Sequence, residues 1–98
     1  MSELLFIKSG DLKTGFFSKL TAGDFHFYND KIIFNTRGWS RIFNNAPIII
    51  PAESIIGYTD GFSVIGTSIV LKTKFGDYTM RFIGNKTEVY QMLLKYAQ

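Results

Sequence analysis

Three groups of side chains have the types and spacing to do chemistry. The segment Thr36-Arg37-Gly38-Trp39-Ser40-Arg41-Ile42-Phe43-Asn44-Asn45 carries the one tryptophan of the chain between two of its arginines. Arginine offers forked donors for phosphate or carboxylate, and tryptophan a large face suited to interfaces. A loop bearing Arg37, Trp39 and Arg41 is therefore a candidate for anion or membrane-surface binding; the plainer reading lays Trp39 over one end of the fold. Lys72, Lys74 and Arg81 form a second group, a cationic ridge able to meet an anionic partner or simply to stay solvated. The third comprises His26 and the serines Ser18, Ser40, Ser54 and Ser63, whose spacing brings no base and orienting carboxylate to a hydroxyl. A lone imidazole on a hairpin is far more often a surface group than a catalyst or a metal ligand.

Composition narrows the classes further. With no Cys and a single His, the chain has no disulfide, no thiol nucleophile and no thiolate zinc site. No catalytic residue, metal ligand or cofactor is assigned, and an enzyme is not expected. There is no Gly-Lys-Ser/Thr phosphate loop and no Gly-Phe motif of an RNA-recognition sheet, so nucleic acid is not expected as a partner. The net charge of +3 suits an anionic partner without requiring one. Leu4-Leu5-Phe6-Ile7 is too short for a signal-peptide core or a membrane span, which makes the cytoplasm the expected compartment.

The elements that must position these groups follow from periodicity. Ninety-eight residues, 46% of them apolar and 16% aromatic, suffice for one domain spanning 1–98. From Phe16 to Ile83, short apolar segments alternate with Gly, Asn and Asp, the rhythm of an antiparallel sheet. Asp24–Tyr28 and Lys31–Asn35 flank Asn29-Asp30, two residues that tolerate positive φ, which predicts a tight hairpin pairing Phe27 with Ile32 and Phe25 with Phe34. A second hairpin is expected around Gly76-Asp77, pairing Phe75 with Tyr78, Thr73 with Met80 and Leu71 with Phe82 on one face, and Lys72 with Arg81 on the other. That register sets like charges opposite one another, which folding does not favour.

Ile48–Ile50 and Ile55–Thr59, joined through Pro51–Ser54, read as two more strands, and Gly15–Leu20 as another. Leu4–Ile7 fits a strand or a short helix equally. The total is about seven strands. Asn85 as N-cap with Glu88 at N3 announces a C-terminal helix. Its polar stripe of Glu88, Gln91, Lys95 and Gln98 leaves Val89, Met92, Leu93 and Tyr96 for the core. Tyr90 and Leu94 widen the apolar arc, so this helix is a candidate interface with a second subunit.

Seven short antiparallel strands followed by one capped helix resemble the pleckstrin-homology (PH) superfold, in particular its GRAM and bacterial PH-like branches. The stretches 23–34, 48–57 and 69–82 resemble the hairpins and the isoleucine, proline, turn, isoleucine step of those families, and the likeness covers residues 16–97. It implies a mainly β fold, an antiparallel β-barrel or bent sandwich capped by the helix. It also implies a non-enzymatic module that binds a protein or an anionic lipid head group, with peripheral membrane contact. The alternative is a homo-oligomeric assembly protein using the helix or a sheet edge. Lipid-reading PH domains carry a paired basic motif near the first strands and a helical Trp. Here Lys13 and Lys19 lack the paired arginine and Trp39 lies outside the helix, so phosphoinositide binding is not carried over.

Overall fold

The computed structural model describes residues 3–14, 17–36, 47–61, 66–84 and 86–96. The strands are β1 (Leu4–Thr14), β2 (Phe17–Tyr28), β3 (Lys31–Thr36), β4 (Ile48–Pro51), β5 (Ile55–Asp60), β6 (Thr67–Thr73) and β7 (Gly76–Phe82). A 3₁₀ turn, Ala52–Ser54, links β4 to β5, and helix α1 (Thr87–Tyr96) closes the sequence of elements. All seven strands belong to one antiparallel sheet in the order β4-β3-β2-β1-β7-β6-β5.

The sheet is bent and open rather than a closed barrel, since β4 and β5 are its two edges. Yet these edges are consecutive in the chain and separated by only the three residues of the 3₁₀ turn, so the sheet must curl until its edges meet at one corner. Backbone hydrogen bonds tie that corner to both hairpin turns: Ala52 N–H donates to Asp30 O (2.9 Å) and Lys74 N–H to Ser54 O (2.9 Å). Curling is eased on the central strand, where Gly10 lies opposite Gly23. A Cβ on Gly10 would sit 1.9 Å from Arg81 O and one on Gly23 2.2 Å from Asn35 O, so only glycine lets the strands approach.

The core lies between the two halves of the sheet and under α1. Phe25, Phe27, Ile32, Phe34 and Ile50 enter from one half, Ile69, Leu71, Met80 and Phe82 from the other, with Leu12 between them. The helix adds Val89, Met92, Leu93 and Tyr96, the four residues its periodicity assigns to the core. Phe6 stacks on Phe27 at 4.6 Å and Phe25 tilts against Phe34 at 4.8 Å, arrangements that favour a fixed core over a merely greasy one.

The first hairpin has the expected register, Phe25 opposite Phe34 and Phe27 opposite Ile32. Its turn does not use positive φ, which among the described residues occurs only at Gly66, Gly76 and Gly84. Instead β1 braces it: Asn29 N–H donates to Glu3 O (3.1 Å) and Glu3 N–H to Asn29 Oδ1 (3.0 Å).

The second hairpin departs from expectation. Its loop is Lys74-Phe75, with Thr73 opposite Gly76, Leu71 opposite Tyr78 and Lys72 opposite Asp77. The Thr73 hydroxyl holds the turn, donating to Gly76 O (2.6 Å) and accepting from Phe75 N–H (3.1 Å), and Gly76 takes φ +128° just after the turn rather than within it. The difference of four residues is even, so inward and outward faces survive while partners change. Lys72 gains an opposite charge in place of Arg81. Leu4–Ile7 is strand, and β1 runs on to Thr14 as the centre of the sheet. The strand expected over Gly15–Leu20 and the first strand of the Phe25–Phe34 hairpin are one, because β2 runs unbroken from Phe17 to Tyr28.

Candidate functional site

The corner where the sheet edges meet is also where α1 ends. Tyr96, the last core-facing residue of the helix, donates its hydroxyl to Tyr28 O (2.5 Å) and lies 3.2 Å from Lys31 O, so the helix is latched to the β2–β3 turn. Burial raises the Tyr96 pKa well above the ordinary tyrosine value, and the nearby Asp30 carboxylate adds to the shift, which keeps the hydroxyl protonated as a donor. Lys31 lies over the Tyr28 ring at 5.2 Å and 3.7 Å from the Asp30 carboxylate.

These contacts leave an open cleft of about 500 Å³. Its walls are Ile49 and Pro51 of β4, Ala52 of the 3₁₀ turn, and Tyr96. Its charged groups are of both signs, Asp30 and Glu53 with Lys31 and Lys95. The cleft thus combines an apolar wall with a rim of both charges, beside the sheet edge β4. A second cavity of about 260 Å³ lies between the end of β5, the start of β6 and Lys86, and is lined by Asp60, Gly61, Thr67 and Ser68 among others.

The groups expected from sequence are dispersed or lie elsewhere. Arg37, Trp39 and Arg41 fall outside the described residues. Lys72 is exposed opposite Asp77, and Lys74 is in the hairpin turn. Arg81 stands between Asp11 on β1 and Ser68 on β6, so the continuous cationic ridge does not form. The Arg81 Nε is enclosed and has no hydrogen-bond partner. Tyr90 is half-buried within the chain, 5.6 Å from the Tyr58 ring and with Lys86 5.6 Å over its own, whereas Leu94 is exposed. His26 shares a 3.2 Å hydrogen bond between its Nδ1 and Asn35 Nδ2 on the outer face of the sheet.

Sequence reasoning missed the cleft because its parts come from residues 29–31, 49–53 and 95–96, with no local motif among them. The one usable signal was Tyr96 itself, a core-facing residue whose hydroxyl needs a partner at the end of the helix.

No family model matches the sequence, and no curated protein is similar to it in sequence. Solved structures are similar in shape. The C-terminal domain of an unknown protein from Leishmania infantum superposes with a TM-score of 0.73 at 16% identity, over 99% of this chain and 86% of that one. The Vps36 N-terminal PH domain superposes with a TM-score of 0.71 at 12% identity, over 97% and 79%. The fold is therefore PH-like. Among the described residues no helix is long and apolar enough to cross a membrane.

Proposed function

We propose that this PH-like chain is a non-enzymatic binding module whose corner cleft receives a segment of a protein partner. The observation that carries this is the composition of the cleft, with Ile49, Pro51, Ala52 and the Tyr96 ring as apolar wall and charges of both signs around it. An anionic head group is best served by cations without nearby carboxylates, and here Asp30 and Glu53 accompany Lys31 and Lys95. A peptide has apolar side chains for the wall and charges of either sign to complement a rim of mixed charge. The GRAM-like placing belongs to the same reading and rests on the sequence stretches 23–34, 48–57 and 69–82.

The test is selection of binders from a displayed random-peptide library, followed by NMR shift mapping of a selected peptide. Shifts are expected at Asn29–Lys31, Ile49–Glu53 and Lys95–Tyr96, with weaker binding in Lys95→Glu. Sedimentation with vesicles containing anionic lipid is the opposing arm. If the protein sediments and Arg37→Ala with Arg41→Ala abolishes it, the function belongs to the loop of Arg37, Trp39 and Arg41 and the cleft reading fails.

A further inference from the structure

The two halves of the sheet show different outer faces. On β6, β7 and the adjoining part of β1, the outward positions include Asp11, Lys13, Lys72, Asp77 and Arg81, a charged face of mixed sign. On β1–β4 the middle of the outer face carries no acidic or basic residue except His26. One cross-strand row runs Ile7, His26, Ile33 and Ile49, each opposite the next in register. Ile7 is 50% exposed and Ile49 53%. Beside this row the β1 register shifts between Leu4 and Phe6; Phe6 turns inward to stack on Phe27, and Leu4 and Leu5 are left 45% and 41% exposed next to Tyr28. An exposed apolar area on the order of a few hundred Å² is the size of the largest patch on an ordinary monomer, and such a patch is often functional.

We propose that the outer face of β1–β4 is an isologous interface through which two copies of this chain pair. The charges at its two ends argue for a second copy. The row on one side of the apolar centre holds Tyr28 and Lys31, and the row on the other holds Ser9, Asp24 and Asn35, with Ser9 Oγ donating to Asp24 Oδ1 at 2.7 Å. A two-fold axis lying along the isoleucine row reverses the strand direction of the second copy. It sets like over like along the centre, and brings Lys31 of each copy over the end that holds Asp24 of the other. Two sheets stacked this way are in aligned packing, the common arrangement of sandwiches. Four strands by about five residues span about 19 by 17 Å, and side-chain relief raises this to several hundred Å² per copy. That is below the roughly 800 Å² per partner of a standard interface, so a weak dimer formed only at high protein concentration is expected.

Ile49 and Lys31 also line the cleft, whereas Ile7 and Asp24 do not, so the decisive single substitutions are made at those two positions. Sedimentation velocity of the full chain, from low micromolar to near-millimolar concentration, is expected to show a monomer–dimer equilibrium. Ile7→Lys should weaken it by about 100-fold or more, because each dimer would then enclose two facing ammonium groups. Leu94→Lys, on the exposed side of α1, should leave it unchanged. Asp24→Lys should weaken it, and adding Lys31→Asp should restore it, which general destabilisation cannot do. If Ile7→Lys does not fold by circular dichroism, Leu4→Lys, exposed beside the same row and outside the cleft lining, gives the same reading. A monomer at every concentration overturns the proposal, as does a dimer lost in Leu94→Lys but kept in Ile7→Lys.

Discussion

Replacing Tyr96 with Phe removes one hydroxyl and tests how the corner is held. In the folded chain that hydroxyl donates to Tyr28 O at 2.5 Å and sits near Lys31 O at 3.2 Å. The ring is retained, so core volume barely changes and the effect is confined to the hydrogen bond and the carbonyl left without it. Such a loss amounts to about 1–2 kcal/mol. In a domain of this size that lowers Tm by roughly 5–10 °C, measurable by circular dichroism melts. The pH dependence gives an independent check. The folded pKa of Tyr96 is raised, first by burial and then by Asp30, above the unfolded value near pH 10. Its stabilising contribution is therefore whole below about pH 10. It declines as pH rises toward the folded pKa, by up to about 1.4 kcal/mol per pH unit, because the unfolded chain releases a proton that the folded chain holds. Urea unfolding of both proteins from about pH 7 to about pH 11 should show their gap constant at first and then closing. Contributions common to both proteins cancel in the difference. Equal midpoints at pH 7, or a gap that widens in alkali, would refute the latch.

Three further outcomes follow from the same geometry. Gly10→Ala should fail to give soluble folded protein, or lose more than about 3 kcal/mol, since its Cβ meets the Arg81 carbonyl at 1.9 Å; expression and a melt decide it. Arg81→Met should be neutral or raise Tm, because it removes an enclosed Nε that lacks a hydrogen-bond partner; a loss above about 1 kcal/mol contradicts this. Asp77→Lys places two ammonium groups opposite each other in the observed register and should cost about 0.5 kcal/mol at low salt, shrinking as salt screens the pair. In the register centred on Gly76-Asp77, the same substitution would have almost no effect.

What was legible in the sequence was what local physics decides. The Phe25–Phe34 hairpin and the four core residues of α1 follow from periods of two and 3.6, and structure and sequence agree there. The second hairpin shows a warning that was present and not used. Lys72 opposite Arg81 was an unfavourable pair, and that conflict counted against the register itself; the real one gives Lys72 an aspartate. β1 was hidden for another reason. Its stretch Lys8–Thr14 has Leu12 as its one large apolar residue, because a central strand is held by ladders on both sides rather than by its own hydrophobic pattern. Gly10 and Gly23 mark the place where backbones approach too closely for a side chain, which is a contact between strands that no local pattern displays.

Those two glycines also connect the fold to its surfaces. If the sheet did not curl beside them, β4 and β5 could not be joined by a three-residue turn, and the 3₁₀ turn could not receive the β2–β3 and β6–β7 hairpins together. The cleft exists because that corner is drawn in on one side and α1 is latched to it by Tyr96 on the other. Curling has an opposite consequence on the convex side. The inner face of β1–β4 receives four fully buried phenylalanine and isoleucine residues from β2 and β3, and a single helix covers that inner side only. Ile7, Ile33 and Ile49 alternate with these core positions and emerge on the outside, where no element of the described chain packs over them. An antiparallel sheet with one face on the core usually presents polar residues on the other, and the outward isoleucines of β1, β3 and β4 depart from that alternation. In this chain the inner face is buried by the fold itself, and the proposed dimer would bury the outer one.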